Sequence, residues 1–462
     1  MNLHESYEFD VIVHDERNNF AGKLSLSPKK CTILISGEQT LERKYSSGWA
    51  DREELICRDL NKTFILKNLS IHYVRQRAIQ AEPCQIGFFE VEFTIGFVLF
   101  LPLDRASHVS ISSISIHSSL IGSWIGSTIK QESIVTTYSQ GGLARNHDEI
   151  LTEFFTKAGN NSIMVAHYKF SWQRSPHEFK SGIFFPPCLT TNYHTPIPSS
   201  QARIELEKIY NLFSFLVGGD FAPEKIEIYC TAPGLQKAGS FYMPVAHLAK
   251  KDSRRAILFP LGKDLRFDQL GLPSFPLEAI NAYFCMTVQD LEIWGKYSRY
   301  RKLENPEERF LGYFRLLERL CFKQKTFLDE PKLSALIIKA KPYMTKRFGD
   351  KKSVTSFLNG IPRYNSSKYN TSKCIQDFYT SIPKELTSTW KLQKTDIDKI
   401  CKIRNDISHA NDFLVSDDFI LECESFAHAL LLISMLKKIG IDIETSSKII
   451  SRMPGYHFIR SA

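Results

Sequence analysis

Several chemical signatures are missing from this 462-residue chain. Its ten cysteines form no CxxC pair and no Cys/His group at zinc-ligand spacing, so no metal site is expected. No GxGxxG or GxxxxGKS loop occurs, and GSWIG at 122–126 fits neither, so no nucleotide fingerprint is read and no cofactor is expected. No run of about 18 apolar residues is present; the stretches near 93–103 and 429–436 are shorter, so neither a membrane span nor a membrane partner is expected. The opening residues, MNLHESYEFD, lack a basic segment leading into an apolar one, so no secretory signal is expected. The scattered thiols then read as reduced, mostly small core residues of a cytoplasmic protein.

What is present is an ordinary globular composition, 43% hydrophobic and 24% charged, on a chain too long for one core. The net charge is +9 and uneven. Beyond Pro276 there are 30 Lys and Arg against 22 Asp and Glu; before it the two kinds nearly balance. A basic C-terminal half suits a polyanionic partner such as RNA, although mild basicity can also serve solubility alone.

Up to about residue 195, short segments rich in β-branched and aromatic residues are punctuated by Gly, Pro, Asn and Ser. They are 9–13, 23–27, 31–36, 63–66, 69–74, 87–100, 109–117, 128–138 and 162–172. Several alternate polar and apolar, which predicts an antiparallel β-sandwich-like domain. Residues 184–200, with four prolines, read as a connector. Residues 201–216 have helical periodicity and stop at Gly218-Gly219, and 225–230 and 256–260 read as further strands. This first domain is placed at 1–270. Its His72, His108, His117, His147 and His167, with Trp49, Trp124 and Trp172, show no triad spacing and read as packing or surface residues. A glycan, a peptide or a protein could each be its ligand.

From Leu277 the pattern turns helical, and the second domain is placed at 277–462. Asn305 caps a helix with Pro306 at its first position and a stripe of Phe310, Phe314, Leu317 and Cys321. Glu318, at the edge of that stripe, is assigned to a surface pair with Arg315 rather than to Arg404. Helical patterns at 332–343 and 352–359 carry Lys339, Lys341, Lys346, Arg347, Lys351 and Lys352, with Tyr343 and Phe348 interleaved. Phosphate contact with base stacking is one use of such a surface; a solvated helix face is the other. Residues 361–373 read as a polar loop and 375–386 as a short helix. Ser416 caps a long helix, apolar on nearly every side in its second half, which ends at Gly440.

Between these lies TDIDKICKIRNDI at 395–407, followed by Ser408 and His409. Thr395 is the expected N-cap, and Ile397, Ile400 and Ile407 form an apolar stripe with Arg404 in its middle. A cation there is costly unless it is paired or wet. Either Arg404 is a structural ion paired with a neighbouring acid, or it holds a phosphate while His409 moves a proton. At five residues apart the two converge only if the helix ends near Ser408 or a second subunit completes the site. A second such spacing, Arg452 to His457, encloses Pro454 and Gly455 and cannot be a helix end of the same kind.

The helix FLGYFRLLERL, the Arg-polar-x-x-x-His motif at Arg404-Asn405-Asp406-Ile407-Ser408-His409, the apolar helix after it and the β-rich domain before it together resemble the HEPN domains of ApeA-type abortive-infection proteins. The resemblance implies an all-α HEPN bundle, a role in anti-phage defence and a metal-independent endoribonuclease. It also implies a homodimer whose two motifs share one cleft, with a phage-derived trigger acting on the β domain. In such an enzyme the RNA supplies its own 2′-hydroxyl nucleophile. His409 is then general acid or base, Arg404 stabilises the phosphate in the transition state, and Asn405 orients phosphate or imidazole. Asn411 stands where toxin-type members have a tyrosine, a departure from that subgroup. Two other readings stand beside this one: a non-catalytic HEPN dimerisation or RNA-holding module, and a glycan- or peptide-binding protein led by the β domain.

Overall fold

The computed structural model describes residues 1–15, 18–39, 52–81, 84–102, 109–139, 151–175, 180–232, 235–245, 257–267, 271–323, 327–365, 370–409 and 415–461. Its contacts divide the chain into two units, 1–291 and 292–462.

The first unit begins with β1 (Tyr7–Asp15), β2 (Asn18–Leu26), β3 (Cys31–Gln39), β4 (Glu54–Asp59), β5 (Lys62–Ala81) and β6 (Cys84–Leu101). They are antiparallel neighbours in the order β3-β2-β1-β4-β5-β6, and β3 pairs back onto β6, closing a six-stranded barrel. Along β6 every second side chain from Phe89 to Phe97 is buried, so one face of an alternating strand fills the interior. Then follow β7 (Ser110–His117), β8 (Thr152–Lys157), β9 (Ser162–Tyr168), a separate pair β10 (Ser171–Ser175) and β11 (Lys180–Phe184), β12 (Pro187–Pro198), β13 (Lys225–Ala232) and β14 (Leu235–Tyr242). The sheet continues from the barrel as β6-β14-β13-β7-β12-β9-β8. The strand-rich antiparallel unit is as the sequence implied; barrel closure depends on the long-range β3–β6 register, which no local pattern carries.

Three segments differ from their sequence reading. Residues 128–138, read as a strand for their Ile, Val and Thr, form helix α2 (Ile129–Ser139) after α1 (Ser119–Ile125). The hydroxyls of Thr136 and Thr137 donate back to the carbonyls of Glu132 and Ser133, a local bond that a helix offers to β-branched threonine. The proline-rich 184–200 contains strand β12, which pairs with both β7 and β9. It tolerates its prolines because Pro187 and Pro198 sit at its ends and Pro196 lies in the register shift between Asn192 and Ile197. Of 256–260, Leu258 and Phe259 are buried but in no strand. Helix α3 (Ala202–Leu216) ends as expected at Gly218, whose φ is +67°. Trp124 packs against Phe154, Phe213 and Phe275 and donates to the Phe259 carbonyl at 2.9 Å. Trp49, His108 and His147 lie outside the described residues, as does the side chain of Trp172.

Helix α4 (Glu278–Phe284) follows the start of the helical signal yet packs on β8 of the first unit. Then come α5 (Val288–Tyr300), α6 (Pro306–Cys321), α7 (Glu330–Phe348), α8 (Lys351–Asn365), α9 (Thr371–Thr380), α10 (Ile397–Ser408), α11 (Asp417–Lys438) and α12 (Ile443–Ile449). Asn305 and Ser416 cap α6 and α11 with their side chains, as their positions implied. Helix α8 runs through Pro362 to Asn365, and α9 begins at Thr371, so most of the expected loop at 361–373 is helical.

Helix α11 is the axis of the second unit. Every residue from Cys423 to Leu436 is buried, and α6 is its main partner. By length and composition α11 could cross a membrane; 78% of its apolar window is buried inside the unit, as in the core helix of a globular domain. One polar cluster lies in this core. Arg309 donates to both carboxylate oxygens of Glu424, at 2.7 and 3.0 Å, and to the carbonyls of Leu303 and Glu304. His428 stacks on Tyr313 with centroids 4.5 Å apart, and its Nε2 lies 3.0 Å from the Tyr297 hydroxyl. Burial, with Arg301 and Arg309 nearby, lowers its pKa to about 3, so it is neutral at pH 7.

Candidate active site

Helix α10 carries the motif. Its entry is a 3-10 turn, Lys394–Asp396, closed by a reciprocal capping box. The Gln393 side chain accepts from the Asp396 amide, and the Asp396 carboxylate accepts from the Gln393 amide at 2.8 Å. The cap therefore lies at Gln393, two residues before the expected Thr395. Asp398 is tied to α9, accepting from the Ser372 hydroxyl and from the Gln376 amide.

The buried row on α10 is Ile397, Ile400 and Ile403, with Ile407 half-buried. That row uses steps of three, which turns Arg404 from the centre of the stripe to its edge. There it is half-buried. Its Nη2 donates to Glu318 Oε2 at 2.8 Å and its Nη1 to Asn405 Oδ1 at 2.9 Å. The guanidinium carbon lies 5.6 Å from the centre of the Phe314 ring. Glu318 uses its other oxygen to accept from the Thr371 hydroxyl at 2.9 Å. Glu318 thus pairs with Arg404, against the assignment to Arg315. Phe314 and Glu318 are four apart on α6, so one helix face presents both an aromatic floor and a carboxylate to the cation. A guanidinium has five N–H donors. Two are used here, and Nε is buried without a hydrogen-bond partner among the described residues. One N–H therefore remains on each terminal nitrogen.

Helix α10 stops at Ser408. His409 is its C-cap, with φ −101° and ψ 6°, and its amide donates to the Asn405 carbonyl at 3.0 Å. Its imidazole is exposed. Arg404 and Asn405 are joined directly, and His409 stands one turn on at the same helix end. Residues 410–414, including Asn411, lie outside the described residues. Lys346, Arg347, Lys351 and Lys352 surround the turn between α7 and α8, where Gly349 has φ +75°, while Lys339 and Lys341 lie further back on α7. They are not among the side chains touching Arg404.

Sequence reasoning missed Thr371 and Phe314 as supports of Arg404. Phe314 was legible as a core residue; Thr371 carries no signal until α9 is placed against α6. His409 and His457 are the exposed histidines among the described residues of the second unit, whereas His428 is sealed in the core. Among the described residues no three His, Cys, Asp or Glu side chains are grouped to hold a metal ion.

The first unit has a cleft of about 730 Å³ over β7, β9, β12 and β13. Ser113, Ser115, Thr190, Asn192, His167 and Tyr229 line it. At its margin Glu227 meets His117, Lys169 and Lys225, which hold its carboxyl well below the usual range.

Comparison with protein families gives two matches. The model described as Apea-like HEPN matches residues 287–445, and the model described as ApeA N-terminal domain 1 matches residues 7–265. No curated protein and no solved structure matches the chain.

Proposed function

Because the chain belongs to the ApeA family, with an Apea-like HEPN domain behind an ApeA N-terminal domain, we propose that its helical unit is an endoribonuclease of anti-phage defence. The observation that carries the reading is Arg404: a half-buried guanidinium, anchored by Glu318 and Asn405, with N–H groups to spare, five residues before an exposed histidine at the end of the same helix.

In the proposed reaction the RNA 2′-hydroxyl attacks its own 3′ phosphorus. The new O–P bond forms as the bond to the 5′ oxygen breaks, leaving a cyclic phosphate and a 5′-hydroxyl. His409 takes the 2′ proton, or gives a proton to the leaving oxygen. One imidazole cannot do both in a single step, which is the chemical reason for two copies sharing one cleft. Arg404 stabilises charge on the phosphoryl oxygens as the transition state forms. Asn405, bonded to Arg404, holds the guanidinium in plane. Residues 1–270 act as the sensing part, with the polar cleft over β7 and β12 as the place for a trigger.

The test compares purified Arg404→Ala and His409→Ala with the parent on labelled RNA in the presence of EDTA. Loss of cleavage in both is expected. Activity retained in both would remove the assignment and favour a non-catalytic HEPN module.

A further inference from the structure

The hairpin of α7 and α8 stands out within the helical unit. The two helices pack chiefly on each other, and of their side chains only Leu333, Val354, Leu358 and Asn365 are buried. Helix α7 has 19 residues, so the hairpin is about 28 Å long. Between Glu330 and Asn365 it holds eight Lys and Arg against two acids. That is +6 of the chain's +9. Among the described residues none of Lys339, Lys341, Lys346, Arg347, Lys351, Lys352 and Arg363 lies within ion-pair distance of a carboxylate. Four aromatic rings, Tyr343, Phe348, Phe357 and Tyr364, are between 63% and 77% exposed.

The root of the hairpin is at the candidate site. Glu318 lies in the last turn of α6, just before the chain departs, and Thr371 is the first residue of α9, where it returns. Those two residues are bonded to each other, and Glu318 is bonded to Arg404. The base is clasped by Asn365, which accepts from the Leu328 amide at 2.7 Å and donates to the Leu328 carbonyl at 2.9 Å.

We propose that this hairpin is an arm that grips single-stranded RNA and leads it to the Arg404 end of α10. The proposal deepens the ribonuclease reading and rests on it for the identity of the polyanion. Unpaired cations meet phosphates, and exposed rings stack on bases without selecting among them. The same charge disfavours a second copy of the hairpin as the occupant, because +6 would then face +6.

The experiment uses full-length His409→Ala protein, so that RNA is bound without being cut, and a fluorescein-labelled oligouridylate read by anisotropy across salt concentrations. Lys346→Gln, Arg347→Gln, Lys351→Gln and Lys352→Gln are combined in that background. If all four reach phosphates, the slope of log affinity against log salt becomes shallower by about 3, at about 0.7 per lost contact. Between 50 and 200 mM salt the parent would then lose about 50-fold more affinity than the variant. Phe357→Ser and Tyr364→Ser each weaken binding about 5-fold or more without changing the slope. A quadruple variant with the slope of His409→Ala alone overturns the arm, even where the unsubstituted protein cleaves RNA. A shallower slope, where the unsubstituted protein never cleaves RNA, keeps the arm and fells the nuclease. Anionic phosphatidylserine vesicles that bind through these residues while oligouridylate does not would also overturn it.

Discussion

The Arg404–Glu318 pair allows the structural and the chemical role of one cation to be separated. At about 4 Å between charge centres and an effective dielectric near 20, the attraction is about 4 kcal/mol. The side chains are 25% and 19% exposed, and desolvation offsets most of that gain, leaving a net of about 1–2 kcal/mol. Arg404→Ala removes the guanidinium from a half-buried carboxylate and is expected to cost about 1–3 kcal/mol of stability in the helical unit. Glu318→Ala added to it should return most of that stability. Activity should behave otherwise. Loss of a donor to the transition-state phosphate costs about 100- to 1,000-fold in kcat, and the double variant should not recover it. Glu318→Ala alone keeps the cation but loses its anchor, with about a 10-fold fall expected from misplacement. Thermal unfolding and initial cleavage rates on one preparation of each variant read both quantities. Recovery of cleavage in the double variant would refute the argument, because Arg404 would then serve only to neutralise Glu318.

Two further predictions concern the core cluster. Arg309→Met leaves Glu424 buried without its bidentate partner and should destabilise the helical unit by about 3–5 kcal/mol, measured by urea unfolding. His428 has a folded pKa lowered to about 3 against about 6.5 unfolded, so its contribution is intact above pH 6.5 and is lost as pH falls toward 3. Between pH 7 and pH 5 the helical unit should lose about 2 kcal/mol, and His428→Gln should flatten that dependence in calorimetry.

Much of the helical unit was legible because its signals are local. Asn305 before Pro306, Ser416 before two aspartates, and Gly440 after an apolar run each mark a helix end within a few residues. The motif helix was legible for the same reason, including its end at Ser408. What could not be read depends on contacts distant in sequence. Glu318 and Arg404 are 86 residues apart, and whether Glu318 turns to Arg315 or to Arg404 is decided by how α6 meets α10. The readings 332–343 and 352–359 stopped short of the ends of α7 and α8, which run on to Phe348 and Asn365, α8 through Pro362 and into the segment read as a polar loop. In the first unit, β12 was hidden by prolines that sit at its ends and in its bulge, and α2 by threonines whose hydroxyls bond backward.

The buried rod α11 begins at Asp417, so the ribosome has produced α5 to α10 before the surface that covers them exists. Amphipathic helices with nothing to lie against are marginal in water. Seating Glu318 beside Arg404 requires α6 to be held in place, and α11 is what holds it. A nascent chain that has not yet reached α11 therefore carries the motif without the packing that seats it.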